Sequence, residues 1–409
     1  MNLQNRWFQL VASVIAMVMI ANLQYAWTFF VPPMQTSTGW KLSDIQGAFT
    51  LFILFQTWVQ PLDGWLIDRL GPRGFISAAG LLCGLGWAGL GYATSLKMLY
   101  VLYCAAGIGA AFVYSASIGS ALKWFKDRRG LAAGIMAAGF GGGTALFIPI
   151  ISRLIDGRGY RFTFLVTGLV QGIVILTVAQ FLRHPPPEPV ATARAGQALK
   201  VGRQQFTTAE MLSMPQFYVM YLMFVLMATG GLLVTANAGP MARSWGLPAA
   251  ALTLAGTLSP MANGASRIFW GWVSDRLGRE HSMTVAFSLQ AICLCLVVAL
   301  GHLSGGWFAF TLVLVYLTWG EIFSLFPAMS ADYFGTRYAT SNYSVLYSAK
   351  GVASIMGAWV AALIYEQTHS WSIGFYGSAI MALIAAGLAV VLKAMTTRQA
   401  AAVVVAEAK

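Results

Sequence analysis

The chain has 409 residues, 58% of them hydrophobic and 9% charged, with a formal net charge of +12. A water-soluble domain carries about 25% charged residues, so this composition excludes a soluble globular protein. A basic chain raises nucleic acid as a partner, but the placement of the charges, set out below, excludes that too.

Apolar stretches of about 20 residues, long enough to cross a bilayer core, recur along the chain. Six fall near 8–31, 44–67, 75–94, 98–122, 130–154 and 161–182. Arg6 precedes the first, yet the run Phe8–Phe30 is too long for a cleaved signal core and leads into further spans. A proline-rich, then basic, stretch at 183–215 reads as a cytoplasmic linker with one short surface helix. Six more spans follow near 216–241, 249–272, 281–302, 307–331, 340–364 and 371–394, and 395–409 reads as a cytoplasmic tail. The expected fold is an all-α integral membrane protein of 12 transmembrane helices. Residues 1–182 and 216–394 form two six-helix bundles.

The halves repeat one another at an offset of 207. GWLIDRLG at Gly64–Gly71 matches GWVSDRLG at Gly271–Gly278, Pro33 pairs with Pro240, and Gly39 pairs with Gly246. Six spans per half is an even number, so both halves enter the membrane in the same direction. Parallel repeats with a substrate site between them are a recurrent transporter plan.

GWLIDRLGPR, between spans two and three, resembles the signature loop of the major facilitator superfamily, and GWVSDRLGR repeats it. WFKDRRGLAAG at Trp124–Gly134 is similar to the matching loop between spans four and five. The resemblance implies alternating access by two rocking halves. Within the signature, Asp68 and Arg69 have the charges to clamp helix ends, and Gly64 and Gly71 suit close packing and a sharp turn. Gly271, Asp275, Arg276 and Gly278 occupy the same places in the second half. Asp63, beside the first copy, is read as structural.

Charge placement sets the orientation. With both termini in the cytoplasm, seventeen cations fall on the cytoplasmic side and six on the outer side, as the positive-inside rule requires. This argues for a multi-pass protein of the plasma membrane, the bacterial inner membrane by expectation. Cys83, Cys104, Cys293 and Cys295 all fall inside spans and read as small buried hydrophobes. No spacing of His, Cys or acids reads as a metal site. No nucleophile–base motif suggests an enzyme, and no cofactor is implied. The glycines of GFGGG at Gly139–Gly143 lie mid-span, lack the lysine of a phosphate loop, and suit close helix approach.

Two cations are left over: Arg267 in span eight and Lys350 in span eleven. A cation at the centre of a span costs about 2.5–3.5 kcal/mol on insertion scales, so each needs a compensating gain. A structural ion pair is one source. A midplane anion site is the other. The planar fork of Arg267 can hold a carboxylate through two parallel hydrogen bonds, and Lys350 offers a compact second charge. That pair suits a small dicarboxylate better than a sugar or an organic cation, while phosphate or sulfate would also fit. Asn263, Arg267 and Trp270 share one helix face, and Tyr343, Tyr347, Lys350 and Ser354 share another.

The chain further resembles the oxalate/formate antiporters within the superfamily. The motifs are NGASRIFWGWVSDRLGR at Asn263–Arg279, LTWGEIFSLFP at Leu317–Pro327, DYFGTRYATSNYSVLYSAKGVAS at Asp332–Ser354, NRWFQL near the start and NLQYAWT at Asn22–Thr28. The resemblance implies that Arg267 and Lys350 bind substrate carboxylates. It also places Gln24, Tyr25, Tyr114 and Trp319 at cavity positions. Phe140 and Phe323 stand where the family pattern has tyrosines, and Tyr347 where it has tryptophan, so two hydroxyl donors are missing.

The expected activity is secondary active transport of small carboxylate anions by alternating access, as an oxalate/formate-type exchanger working as a monomer in the lipid bilayer. Glu321, the one acid well inside a span, leaves an alternative open. As a proton-coupling group it would make the carrier a monocarboxylate symporter; as a partner of Arg267 or Lys350, or as a hydrogen-bonded structural acid, it would not. A non-transporting carboxylate sensor on the same scaffold is the remaining competitor.

Overall fold

A computed structural model describes residues 5–125, 129–183, 205–335 and 337–407. Among them the chain is helical, without strands. Among the described residues nine helical runs are long and apolar enough to cross a membrane. One of these, Gly134–Phe181, is 48 residues long, about 72 Å at 1.5 Å per residue and more than twice a bilayer core. It holds two spans separated at Gly159, whose φ of 80° breaks the helix. The two expected spans missing from the nine are the second and eighth, Leu42–Trp58 and Ala249–Leu277. The second, at 17 residues, is shorter than the nine, and the eighth carries polar side chains that lower its hydropathy. With them the dozen is complete.

The offset of 207 has a backbone meaning. Gly39 and Gly246 both take positive φ, 72° and 65°, ending the first and seventh spans in a conformation that glycine adopts without strain. Pro33 and Pro240 lie inside the same two helices. The signature copies differ. In the second half, Gly271, Asp275 and Arg276 lie in the last turns of Ala249–Leu277, and Gly278 turns the chain at φ 85°. There Asp275 bonds Arg279 at 2.7 Å, and Arg279 also reaches Asp332 at 3.3 Å, fastening span eight to the end of span ten. The clamp cation is thus Arg279. Arg276 instead stacks on Trp272, 3.7 Å from the ring centroid. In the first half the backbone is helical from Gln60 to Leu90, so residues 64–71 form no separate loop. The break falls at Val59, ahead of Pro61, where the missing N–H and ring sterics interrupt a helix. The side chains of Gly64, Asp68, Arg69 and Gly71 lie outside the described residues.

Small residues bring helices close in the first half. A Cβ on Gly84 would lie 2.8 Å from Gly172 Cα, and one on Gly168 would lie 2.5 Å from Ala88 N. Leu81, Leu85, Val101, Ile173, Ile292 and Ile380 are exposed, the apolar outer belt that a bilayer covers. The linker's short helix, Thr208–Leu212, starts with a capping box of Thr207 and Glu210. Its flanks are tied to the second half. Phe206 donates its backbone N–H to Phe334 O, and Asn342 bonds Phe206 and Thr208.

Hydrogen bonds cross the seam between the halves. Toward the end of the bundle away from the termini, Gly239 N donates to Thr28 Oγ1 (2.6 Å) and Gln46 Nε2 to Ala236 O (2.8 Å). Arg243 donates to Pro32 O and Thr36 Oγ1. Glu366 accepts from both Ser43 N and Ser43 Oγ at 2.8 Å, capping the start of span two from the other half. Nearer the terminal end, Trp58 Nε1 donates to Ser348 O at 3.1 Å.

Candidate functional site: two cations in an aromatic cage

Helix irregularities gather around one level of the seam. Span one breaks at Ala26, just after Gln24 and Tyr25. The helix Arg129–Gly142, which carries Phe140, gives way to a 3₁₀ turn at Gly143–Leu146. Span ten is interrupted between Trp319 and Ile322. Span eleven is broken at Ser348 and passes through a π-helical turn at Ile355–Val360. Such departures from α geometry cluster at functional positions.

Lys350 is fully buried. Its ammonium donates to Gln24 Oε1 (2.8 Å), Gln56 Oε1 (2.9 Å) and Tyr347 Oη (3.3 Å), so it joins spans one, two and eleven across the seam. Rings of Phe140, Phe323 and Tyr347 surround it, 5.4–5.7 Å from Nζ to centroid. Arg267 is 4% exposed, and its Nη1 donates to Ala137 O at 2.9 Å. Its Cζ lies 4.6 Å from the Phe323 centroid. Neither cation has an ion-pair partner among the described residues.

The other expected side chains complete the wall. Tyr25 accepts a hydrogen bond from Asn263 Nδ2 at 2.9 Å and meets the Phe140 ring edge-on. Tyr114 stacks on Tyr347 at 5.6 Å and meets the edge of Phe140. Trp319 packs edge-on to Phe323, in space that a Cβ on Gly231 would fill. All nine expected cavity residues therefore converge on one buried cage.

The cage is rich in unused donors. Arg267 Nε and Nη2, Gln24 Nε2, Gln56 Nε2 and Trp319 Nε1 are buried without a hydrogen-bond partner. The orientation of the two glutamines follows from chemistry. An ammonium only donates, so each glutamine turns its oxygen to Lys350 and leaves its N–H₂ free. Buried donors without acceptors are costly, and a carboxylate, which only accepts, satisfies them.

Two buried acids stand apart from the cations. Glu321 sits in the interruption of span ten, fully buried, with no partner for either oxygen and no ion pair to Arg267 or Lys350. Asp63, read from sequence as structural, is 1% exposed, and neither oxygen has a hydrogen-bond partner. Gln56 was missed by sequence reading. Its signal was an amide in mid-span, shared with Gln46 and Gln60, which the apolar context did not rank. Among the described residues no group of His, Cys, Asp and Glu could hold a metal, and the four cysteines are free.

The family model of the Major Facilitator Superfamily matches residues 12–238 and again 219–408. This chain belongs to the major facilitator superfamily. It is 38% identical over 387 residues to the "Oxalate:formate antiporter" of Oxalobacter formigenes, covering 95% of this chain and 91% of that protein. It is 26% identical over 356 residues to the "Uncharacterized MFS-type transporter YhjX" of Escherichia coli, covering 86% of each. It is 25% identical over 377 residues to human "Monocarboxylate transporter 12", covering 83% of this chain and 71% of that one. Family and relatives make the chain a multi-pass membrane transporter, not an enzyme.

Proposed function

We propose that the protein exchanges small carboxylate anions across the bacterial inner membrane, with both termini in the cytoplasm, and that Arg267, Lys350 and the surrounding cage bind the anion. The observation that carries this reading is the set of buried, unpartnered N–H donors beside two cations that lack an acidic partner. An acceptor-only anion matches that set. A sugar or an organic cation does not. The relative named as an oxalate:formate antiporter supports the same class of substrate.

Exchange follows from the charge balance. Two buried cations without acidic partners are expensive to enclose unless an anion enters with them, so the halves change over when loaded. Thermal unfolding of the purified protein with formate, oxalate, malonate, lactate, pyruvate, phosphate or sulfate tests the substrate class. Carboxylates are expected to raise the melting temperature, and stabilisation by phosphate and sulfate alone overturns the assignment.

A further inference from the structure

We infer that Asp63 is a proton-binding site: it is protonated while the two halves meet at the terminal end of the bundle, and it releases the proton when they part there. The ligand is the proton itself, and the site lies apart from the cage. The consequence for transport rests on the proposed exchange; the protonation does not.

Asp63 is 1% exposed, and neither of its oxygens has a hydrogen-bond partner. An isolated carboxylate ion in such a place costs far more than its protonated form, so the group takes up a proton. A structural acid shows the opposite, oxygens held by donors. The charges around Asp63 supply no alternative. Among the described residues, the ionisable side chains toward this end of the elements packed against it are Tyr114, Tyr343, Arg6, Arg73 and Arg183. Both tyrosines are uncharged at neutral pH. Arg6 lies over the rings of Trp7 and Phe125, Arg73 and Arg183 donate to Gln180 O, and none forms an ion pair with Asp63.

Asp63 ends a polar file that begins in the cage. Gln56, Gln60 and Asp63 stand at i, i+4 and i+7 on span two, one helix face, and all three are buried. Gln56 Oε1 accepts from Lys350 at 2.9 Å, and Gln60 Nε2 donates to Gln56 O at 3.2 Å. Seven residues are about 10 Å of helix rise, so Asp63 is too far along to pair with Lys350. The second half closes over this stretch. A Cβ on Gly351 would lie 2.6 Å from Thr57 Oγ1, and Ser348 O accepts from Trp58 Nε1. The preceding segment of span eleven, Ala339–Tyr347, packs on the helix Gln60–Leu90, whose first turn carries Asp63. Parting of the halves at this end removes that cover and lets water reach the carboxyl, which then ionises. Closing again takes the proton back. Each pH unit above the titration of the wetted acid therefore weakens the closed form by up to about tenfold. Alkaline solution on the terminal side holds the carrier open there, and acid lets it close.

Infrared difference spectra of the purified protein test the proton directly. At neutral pH, wild type minus Asp63→Asn should show the C=O stretch of a protonated carboxyl group, and a carboxylate band in its place overturns the inference. Exchange of oxalate in proteoliposomes tests the consequence, with an anion that stays fully ionised over the range used. With pH equal on both sides, the wild-type rate should fall by about fivefold or more between about pH 6 and about pH 9. Asp63→Asn keeps the neutral shape of the closed form, so it should hold the wild type's acid-end rate throughout. A variant with the wild-type pH profile, or one inactive at every pH, overturns the inference. Wild-type protein that exchanges no oxalate would count against the proposed function instead, and the infrared result would still decide on Asp63.

Discussion

Arg267 and Lys350 carry the same charge in the same cage, yet substitution should separate them. Arg267→Lys keeps the charge and loses the planar fork, and a lysine cannot span Ala137 O and a carboxylate with the same geometry. Uptake of radiolabelled carboxylate into proteoliposomes should fall by about tenfold or more, and an unchanged rate would remove Arg267 as the clamp. Glu321 calls for the opposite expectation. Its carboxyl meets neither cation, so a neutral amide of the same shape fits as well. Glu321→Gln should leave uptake and its response to an imposed pH gradient unchanged. A pH response lost in that variant would make the carrier a proton symporter. At this scale much of the site was legible beforehand. Arg267 and Lys350 stand out because bilayer physics makes a mid-span cation conspicuous. Gln56 and Gly231 do not, because an amide or a glycine inside a helix has many uses, and only a neighbour's geometry says which applies.

Single helices owe their packing to small residues and their shape to interruptions. Gly168 sits so close to Ala88 that any side chain must move backbone. Overpacking of this kind costs about 1–3 kcal/mol. Gly168→Val should therefore lower the melting temperature in detergent without changing the affinity for carboxylate, since the contact lies within the first half and away from the cage. A variant that melts like the wild type would show that spans three and six are looser than the structure has them. Helix number and the pairing of Gly39 with Gly246 could be read from the chain because repeat offset and span length are local signals. The identity of the clamp could not. The motif names Asp275 and Arg276, which are adjacent in sequence, but successive residues on a helix point about 100° apart. The partner is Arg279, one turn on, which also reaches Asp332.

At the scale of the whole molecule, hydrogen bonds join the two sequence halves along a polar seam, with Lys350 bonded across its centre and Glu366 across its far end. Glu366 holds both the N–H and the hydroxyl of Ser43, and a carboxylate at a helix start is favoured by the exposed N–H groups there. Glu366→Gln keeps the shape and weakens the latch, so that end should open more often. A cysteine at Gln35, beside the same cleft, should then react faster with a membrane-impermeant maleimide, and an unchanged labelling rate would show that the latch bears no load. Coupling between the halves is a matter of central charge. In the proposed exchange, two buried cations without an acidic partner among the described residues are enclosed at each changeover. The unaccompanied step carries a desolvation cost of several kcal/mol per ion, and about 1.4 kcal/mol slows a step tenfold. Vesicles preloaded with carboxylate should therefore take up external label at least about a hundredfold faster than vesicles loaded with buffer, a ratio corresponding to about 2.8 kcal/mol. Equal rates would mean that some other negative charge offsets the cations on the unloaded return, an inorganic anion or an ionised carboxylate of Glu321 or Asp63, the two buried acids.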